Sequence, residues 1–324
     1  MTTITVITYN GLGNRLLPLI SSIRLSRKSN RKTNMLWGYT PVRSCMTYYG
    51  DLCKFEELYE KIEDLSIDEN INSENVFEFK YWENKDHVVD INVDGNITIN
   101  YALYTIISED DNKDSIFNNL KKSISFSREI IFDDIGRELS NVMKSFRPKK
   151  EFQDEIDKYG RKFYKNMVGI HIRKSDGGFT EFSWDDIVRT IIFRCREWCN
   201  SDMNNGVYLA TDDSEVYVQF ASCLGSKLVF YNPPRKLGGV SSINKFNNDK
   251  FNVFCAVIEL ALLGKCNKYI VGTCDSTFSM TGMLLSDENT KKYLVKDVAG
   301  VPNFHELTIK IPSEIPMKFQ RISR

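Results

Sequence analysis

The hydrophobic pattern opens on a switch of period. "TITVIT" is a β-branched, alternating run of strand type, "YNGLGN" turns the chain, and "RLLPLISSIRLSRK" carries apolar residues at helical spacing. A first βα unit is therefore expected. "TNMLWGY" reads as a second strand and "KFEELYEKI" as a short helix, whereas from Ile62 to Asn100 the chain is polar, Asn-rich and weakly periodic. Two helical patterns follow, "SIFNNLKKSISFS" and "EIIFDDIGRELSNVMKSF", and Pro148 in "RPKK" closes the second. "EFQDEIDKYGRKFYKN" continues as an exposed helix.

Beyond it the alternation is clear: strand "MVGIHI", helix "SWDDIVRTIIFRCREWCN", strand "GVYLAT", helix "DSEVYVQFASCLG", strand "KLVFY". A polar loop leads to helix "FNVFCAVIELALLGKC", strand "KYIVGT" and helix "STFSMTGMLLS". Strands alternating with helices predict βαβ units and parallel sheets, an α/β fold. A boundary near Pro148 gives a Rossmann-like domain over 1–148 and a second over 149–324, with the C-terminal tail packing back on the first. Such halves would leave a cleft at the strand C-terminal ends, where open α/β sheets bind ligands.

Composition changes this picture little. The 324 residues are 42% hydrophobic and 27% charged, as in an ordinary globular protein long enough for two domains. Forty-three basic residues balance forty-three acidic ones, so no generally basic surface for nucleic acid or membrane is implied and any anion site is local. Of the eight cysteines, several sit inside apolar runs, and Cys195 and Cys199 have no cluster of further ligands for zinc. They read as structural thiols in a reducing compartment. No signal-type start and no apolar run of about 18 residues is present; a cytoplasmic protein without a transmembrane segment is expected.

The candidate chemistry lies at strand ends. "GLGNR", Gly11 to Arg15, joins the first strand and helix, where glycines allow close backbone approach and a helix N-terminus offers N–H groups to an anion. It lacks the third glycine of the dinucleotide fingerprint, and a plain glycine turn fits equally. In "HIRKSD", His171 and Arg173 alternate with isoleucines at the exit of a buried strand, where charge is costly unless it faces a cleft. The planar fork of Arg suits a diphosphate. Asp176 and Glu181 add carboxylates on the glycine-containing loop that comes next; a surface ion pair of Arg173 with Asp176 is the bland alternative. "LATDDSE" places Thr211, Asp212 and Asp213 at the next strand end, where pure helix capping accounts for them as well. "VGTCDSTFS" offers backbone N–H groups and the hydroxyls of Thr273, Ser276 and Thr277 to phosphate, and N-capping by Asp275 or Ser276 is compatible with that. No metal is inferred, since "TDD" is not a D-x-D clamp.

Taken together, "GLGNRLLPLISSIRLSRK" followed by "MLWGY", Cys53 and "FEELY" resembles the N-terminal pattern of the fucosyltransferase-like glycosyltransferases. That superfamily includes α-1,6-fucosyltransferases, Nod-factor fucosyltransferases and protein O-fucosyltransferases. "HIRKSD" resembles their H-x-R-x-x-D motif, "ATDDSE" their A-T-D-D segment, and "VIELALLGKCNKYIVGTCDSTFS" their acidic residue, apolar helix, strand and Ser-rich turn. The resemblance implies a GT-B-like pair of domains facing a central cleft and an inverting, metal-independent transfer of a sugar, L-fucose from GDP-fucose, to a glycan hydroxyl. By matching positions, Arg173 would hold the diphosphate. His171 and Ser276 would contact phosphates or nucleotide, Asp212 and Asp213 would shape the donor pocket, and Glu259 would read the guanine edge. Gly11, Gly13, Asn14 and Arg15 would line the cleft from the acceptor side, while Glu181, with Asp176 second, would be the catalytic base. The pattern departs at Asp275 and Met280, where a serine and an arginine are usual, at Glu259, usually Asp, and at the glycines after Asp176. Two rival expectations remain: the same fold with a xylose or rhamnose donor, or a nucleotide- or glycan-binding protein without turnover.

Overall fold

A computed structural model of the chain describes residues 2–8, 11–37, 53–67, 74–78, 87–100, 106–111, 127–129, 132, 134–173, 184–231, 250–273 and 276–295. The residues form two compact units, one of Met1–Lys122, Phe132–Glu155 and Asn244–Leu260, the other of Ser123–Ile131, Ile156–Ile243 and Ala261–Arg324.

The first unit is built on β1 (Thr3–Thr8), which pairs in parallel with β2 (Lys32–Trp37) and β6 (Ile97–Asn100). With β3 (Leu65–Ile67) and β4 (Asn75–Glu78) these make a five-stranded sheet of order β3-β2-β1-β6-β4, every pair parallel. Helix α1 (Leu12–Lys28) covers it; Leu16, Leu19, Ile20 and Ile23 are fully buried. Ile4, Leu25, Ile97, Ile99 and Ile106 share one core cluster. A separate parallel pair joins β5 (His87–Val89) to β7 (Ile106–Ser108). Helix α2 (Phe55–Leu58) is one turn only. The expected longer helix stops because Tyr59 bridges Pro148 and the Glu60 N–H donates to the Arg147 carbonyl at 2.8 Å. The described parts of the Ile62–Asn100 stretch hold four strands that the weak pattern concealed.

The second unit carries six strands in the order β11-β10-β9-β12-β13-β8. Four successive pairs are parallel, through β9 (Asn166–Ile172), β10 (Asn205–Thr211), β11 (Leu228–Phe230), β12 (Tyr269–Thr273) and β13 (Lys291–Val295). At one edge β8 (Ser127–Glu129) runs antiparallel to β13. Strand β10 is buried along its whole length, as parallel strands covered on both faces must be. Helices α5 (Trp184–Ser201) and α6 (Ser214–Leu224) supply Val188, Ile191, Val216 and Phe220 to its core. Residues 129–146, expected as one helix, contain the end of β8 and then α3 (Asp134–Lys144). Helix α4 (Lys150–Gly160) ends earlier than its pattern suggested. Helices α7 (Lys250–Gly264) and α8 (Thr277–Leu285) fall where apolar periodicity put them. The expected helix "SIFNNLKKSISFS", apart from its last residue Ser127, which opens β8, and the C-terminal tail lie outside the described residues.

The α/β class with parallel sheets is thus as expected. Cys53, Cys195, Cys199 and Cys266 are free thiols and buried, Cys255 is buried as well, and burial alone pushes the Cys266 thiol far above its ordinary range. No described helix is long and apolar enough to cross a membrane.

Candidate functional site

Strands β10, β9 and β12 are successive parallel neighbours, so their C-terminal ends share one edge of the second unit's sheet. Register sets His171 opposite Ala210 on one side and Gly272 on the other. Arg173 comes directly after the strand, half-buried, while the flanking strands lead into the N-termini of α6 and α8. A cation at a strand exit between two strands that each feed a helix N-terminus is an arrangement for anions.

His171 is 7% exposed, its Nδ1 lies 2.7 Å from the Ser279 hydroxyl, and its ring centroid is 4.8 Å from that of Phe278. Gly272 makes this possible, for a Cβ there would lie 2.5 Å from the Ser279 Cβ and 2.6 Å from its Oγ. Burial first, and the Arg173 guanidinium second, push the imidazole down from 6.5 to about 3. The ring is therefore neutral at neutral pH, and Arg173 supplies the positive charge at this strand end.

Linkage gives this a testable consequence. Between its unfolded pKa and about 3, the unfolded chain binds a proton that native His171 refuses, so stability falls as pH drops through that window. The slope reaches about 1.4 kcal/mol per pH unit. His171→Asn is expected to flatten that slope, read as urea midpoints taken between about pH 7 and pH 5; an unchanged slope in the variant would contradict it.

The hydroxyl of Thr273 donates to the His171 carbonyl at 3.2 Å and accepts the Arg173 N–H at 3.1 Å. Asp213 caps α6, its Oδ1 accepting the N–H groups of Glu215 and Val216, both at 2.9 Å. Its own N–H donates to the Thr211 hydroxyl at 3.2 Å. The capping alternative therefore describes Asp213, while Asp212, one residue earlier, is half-buried at the strand exit. Ser276 caps α8 through the Ser279 N–H at 3.5 Å, and Thr277 is buried in the first turn. His171, Arg173, Asp212, Asp213, Thr273, Ser276 and Thr277 thus share one sheet edge. Among the described residues no group of three or more His, Cys, Asp or Glu side chains could hold a metal ion.

The remaining candidates belong to the first unit or lie outside the described residues. Gly11 caps α1 with an ordinary φ of −65° and open space around it, so no left-handed turn requires glycine there. Gly13 is buried, Asn14 half-buried, and the Arg15 guanidinium sits 5.0 Å from the Trp37 ring, all in the first unit. Glu259 is buried on α7, in the part of that helix belonging to the first unit. Asp176, Glu181 and Asp275 lie outside the described residues. Ser279 and Phe278 escaped sequence reasoning; the signal available was that Ser276 and Ser279 fall one turn apart on the same helix face.

No family model matches the sequence, and no curated protein matches it. Among solved structures, the fold is similar to NodZ α-1,6-fucosyltransferase soaked with GDP-fucose, with TM-score 0.56 and 13% identity over 91% of this chain and 99% of that one. It is similar to fucosyltransferase NodZ from Bradyrhizobium, TM-score 0.55, 12% identity, 91% of this chain and 98% of that one. It is also similar to NodZ co-crystallised with GDP, TM-score 0.52, 13% identity, 91% and 99% respectively. At such identity the likeness is one of fold, and it is the fold expected from the motifs.

Proposed function

We propose that this chain is an inverting, metal-independent glycosyltransferase that moves L-fucose from GDP-fucose to a glycan hydroxyl. The observation that carries the reading is Arg173 at the exit of β9, with a helix N-terminus after each neighbouring strand. The fold likeness to proteins crystallised with GDP or GDP-fucose supports the choice of nucleotide.

When a sugar leaves a nucleotide diphosphate, positive charge develops at its anomeric carbon and negative charge grows on the diphosphate. Preorganised donors aimed at that negative charge are the largest expected catalytic contribution. Arg173 offers a forked cation, and the N-terminus of α8 offers oriented N–H groups, whereas those of Glu215 and Val216 at α6 are taken by the Asp213 cap; the role often taken by a metal ion is filled by protein. Neutral His171 can donate or accept one hydrogen bond without competing for the anion's charge. Asp212 shapes the pocket, and Ser276 and Thr277 set the geometry of the α8 N-terminus. Glu259 reads the guanine edge; Gly11, Gly13, Asn14 and Arg15 serve the acceptor. A carboxylate, Glu181 first and Asp176 second, takes the proton of the attacking hydroxyl as that oxygen approaches from the face opposite the departing diphosphate.

Nucleotide release from GDP-fucose, UDP-xylose and dTDP-rhamnose, with mixed glycan acceptors and with or without EDTA, tests this. GDP release from GDP-fucose, undiminished by EDTA and giving a product of inverted configuration, is expected. Release from a UDP or dTDP sugar alone would replace the donor; binding of GDP without release from any donor would replace transfer by simple recognition.

A further inference from the structure

Thr273 was expected to present its hydroxyl to phosphate, yet the geometry assigns it another task. We propose that Thr273 is a positioning residue that fixes the direction in which Arg173 leaves the sheet; this rests on Arg173 being the diphosphate ligand. The last pair of the β9–β12 ladder is His171 with Gly272, so regular backbone pairing ends one residue before Thr273. Past that point the Thr273 hydroxyl takes over from the ladder, donating to the His171 carbonyl at 3.2 Å and accepting the Arg173 N–H at 3.1 Å. A hydroxyl has one proton and two lone pairs. Its proton is already directed at His171, so none is left for a phosphate oxygen, and its remaining lone pair would repel one.

The bridge spans the residues on either side of Ile172 and clamps the chain where it leaves β9. Thr273 is 5% exposed, and a β-branched side chain has little rotamer freedom with which to abandon the bridge. From the side-chain direction the same strand end is held by the His171 contacts to Ser279 and Phe278. A guanidinium aimed at a diphosphate needs its backbone fixed, because a fork that must reorient loses the advantage of preorganisation. At the next strand exit the Thr211 hydroxyl makes a local contact within its own segment, accepting the Asp213 N–H at 3.2 Å.

Thr273→Val removes the hydroxyl at nearly constant shape, and Thr273→Ser keeps it. Calorimetric titration with GDP, in the native and the Arg173→Ala backgrounds, separates positioning from direct contact. Thr273→Val is expected to weaken GDP binding by about threefold to tenfold, the worth of one hydrogen bond. Thr273→Ser should remain close to the native affinity, and Thr273→Val should add nothing once Arg173 is already Ala. An equal loss in both backgrounds would overturn the proposal and make Thr273 a phosphate ligand. Exchange of the Arg173 amide, followed in protein labelled with 15N-arginine, decides the bridge without any nucleotide: it should accelerate in Thr273→Val and not in Thr273→Ser. Unchanged exchange in Thr273→Val would overturn it. Failure of the native protein to bind GDP would overturn the donor-site reading while the exchange result still judged the bridge.

Discussion

Arg173→Ala is expected to lower kcat/KM with GDP-fucose about a hundredfold or more while leaving the fold intact. The size of the effect reflects where charge would develop: in the proposed reaction the leaving diphosphate gains negative charge in the transition state, and the planar fork of Arg173 can offer it two parallel hydrogen bonds. Folding should survive because the side chain is half-buried at a strand exit rather than inside the core. Arg173→Lys keeps the charge but loses the fork, so it should recover part of the loss. Removing the cation also relieves one of the causes that depress His171, the lesser beside burial, so its imidazole should titrate somewhat higher in Arg173→Ala. Steady-state kinetics, GDP affinity and a urea midpoint on the same variant check these together; turnover within a few fold of native would remove Arg173 from the mechanism.

Asp111→Asn carries the largest expected stability effect, in a part of the first unit that has no role in the proposed chemistry. Arg24 on α1 is 6% exposed, and its two terminal nitrogens each donate to an Asp111 oxygen at 2.8 Å, while its Nε donates to Glu138 on α3. Asp111 also accepts Lys28 Nζ at 2.9 Å and the Ser108 N–H at 2.8 Å. Burial opposes ionisation of that carboxyl, but the hydrogen bonds from Arg24, Ser108 and Lys28 outweigh it and hold it well below the usual carboxylate range. Leaving the buried guanidinium without its main counter-charge should cost about 3 kcal/mol. Replacing both partners by apolar residues, Arg24→Met with Asp111→Leu, should recover only part of that, since it removes the orphaned guanidinium but takes the acceptor from the buried Ser108 N–H and from Lys28. Because the native pKa is depressed, the stabilisation is present above about pH 4 and is lost as the pH falls below it, so the variant's acid limb should be flatter. Urea midpoints across that range check the prediction; a loss below about 1 kcal/mol would mean the pair behaves like an exposed one.

How much of the fold was legible in the sequence depends on which forces act locally. Strands β1, β9, β10 and β12 were legible because buried parallel strands are short apolar runs that end abruptly in polar residues. Strand β6 was not, although it lies beside β1 in the middle of its sheet: "ITIN" is four residues in a polar, Asn-rich stretch and too short to show a period. Strand β8 was absorbed into a helical pattern because its pairing with β13 joins residues far apart in sequence. A boundary near Pro148 describes two consecutive pieces, whereas the compact units interleave through residues 123–131 and 244–260. At the site, periodicity placed His171 and Arg173 at a strand exit, and residue type left Asp213 open between pocket and cap. The cap is realised because its Oδ1 reaches two free N–H groups of the helix it precedes. The bridge of Thr273 and the contact of Ser279 with His171 could not be read, since both join residues about a hundred positions apart.

The measurement that bears most directly on the central claim is thermal unfolding of the native protein with GDP, UDP and dTDP, each at equal millimolar concentration in EDTA. GDP is expected to stabilise, by about 2.7 kcal/mol where it reaches a hundred times its dissociation constant, and UDP and dTDP to do little. Stabilisation by UDP or dTDP in preference to GDP, or by none of the nucleotides, would contradict it.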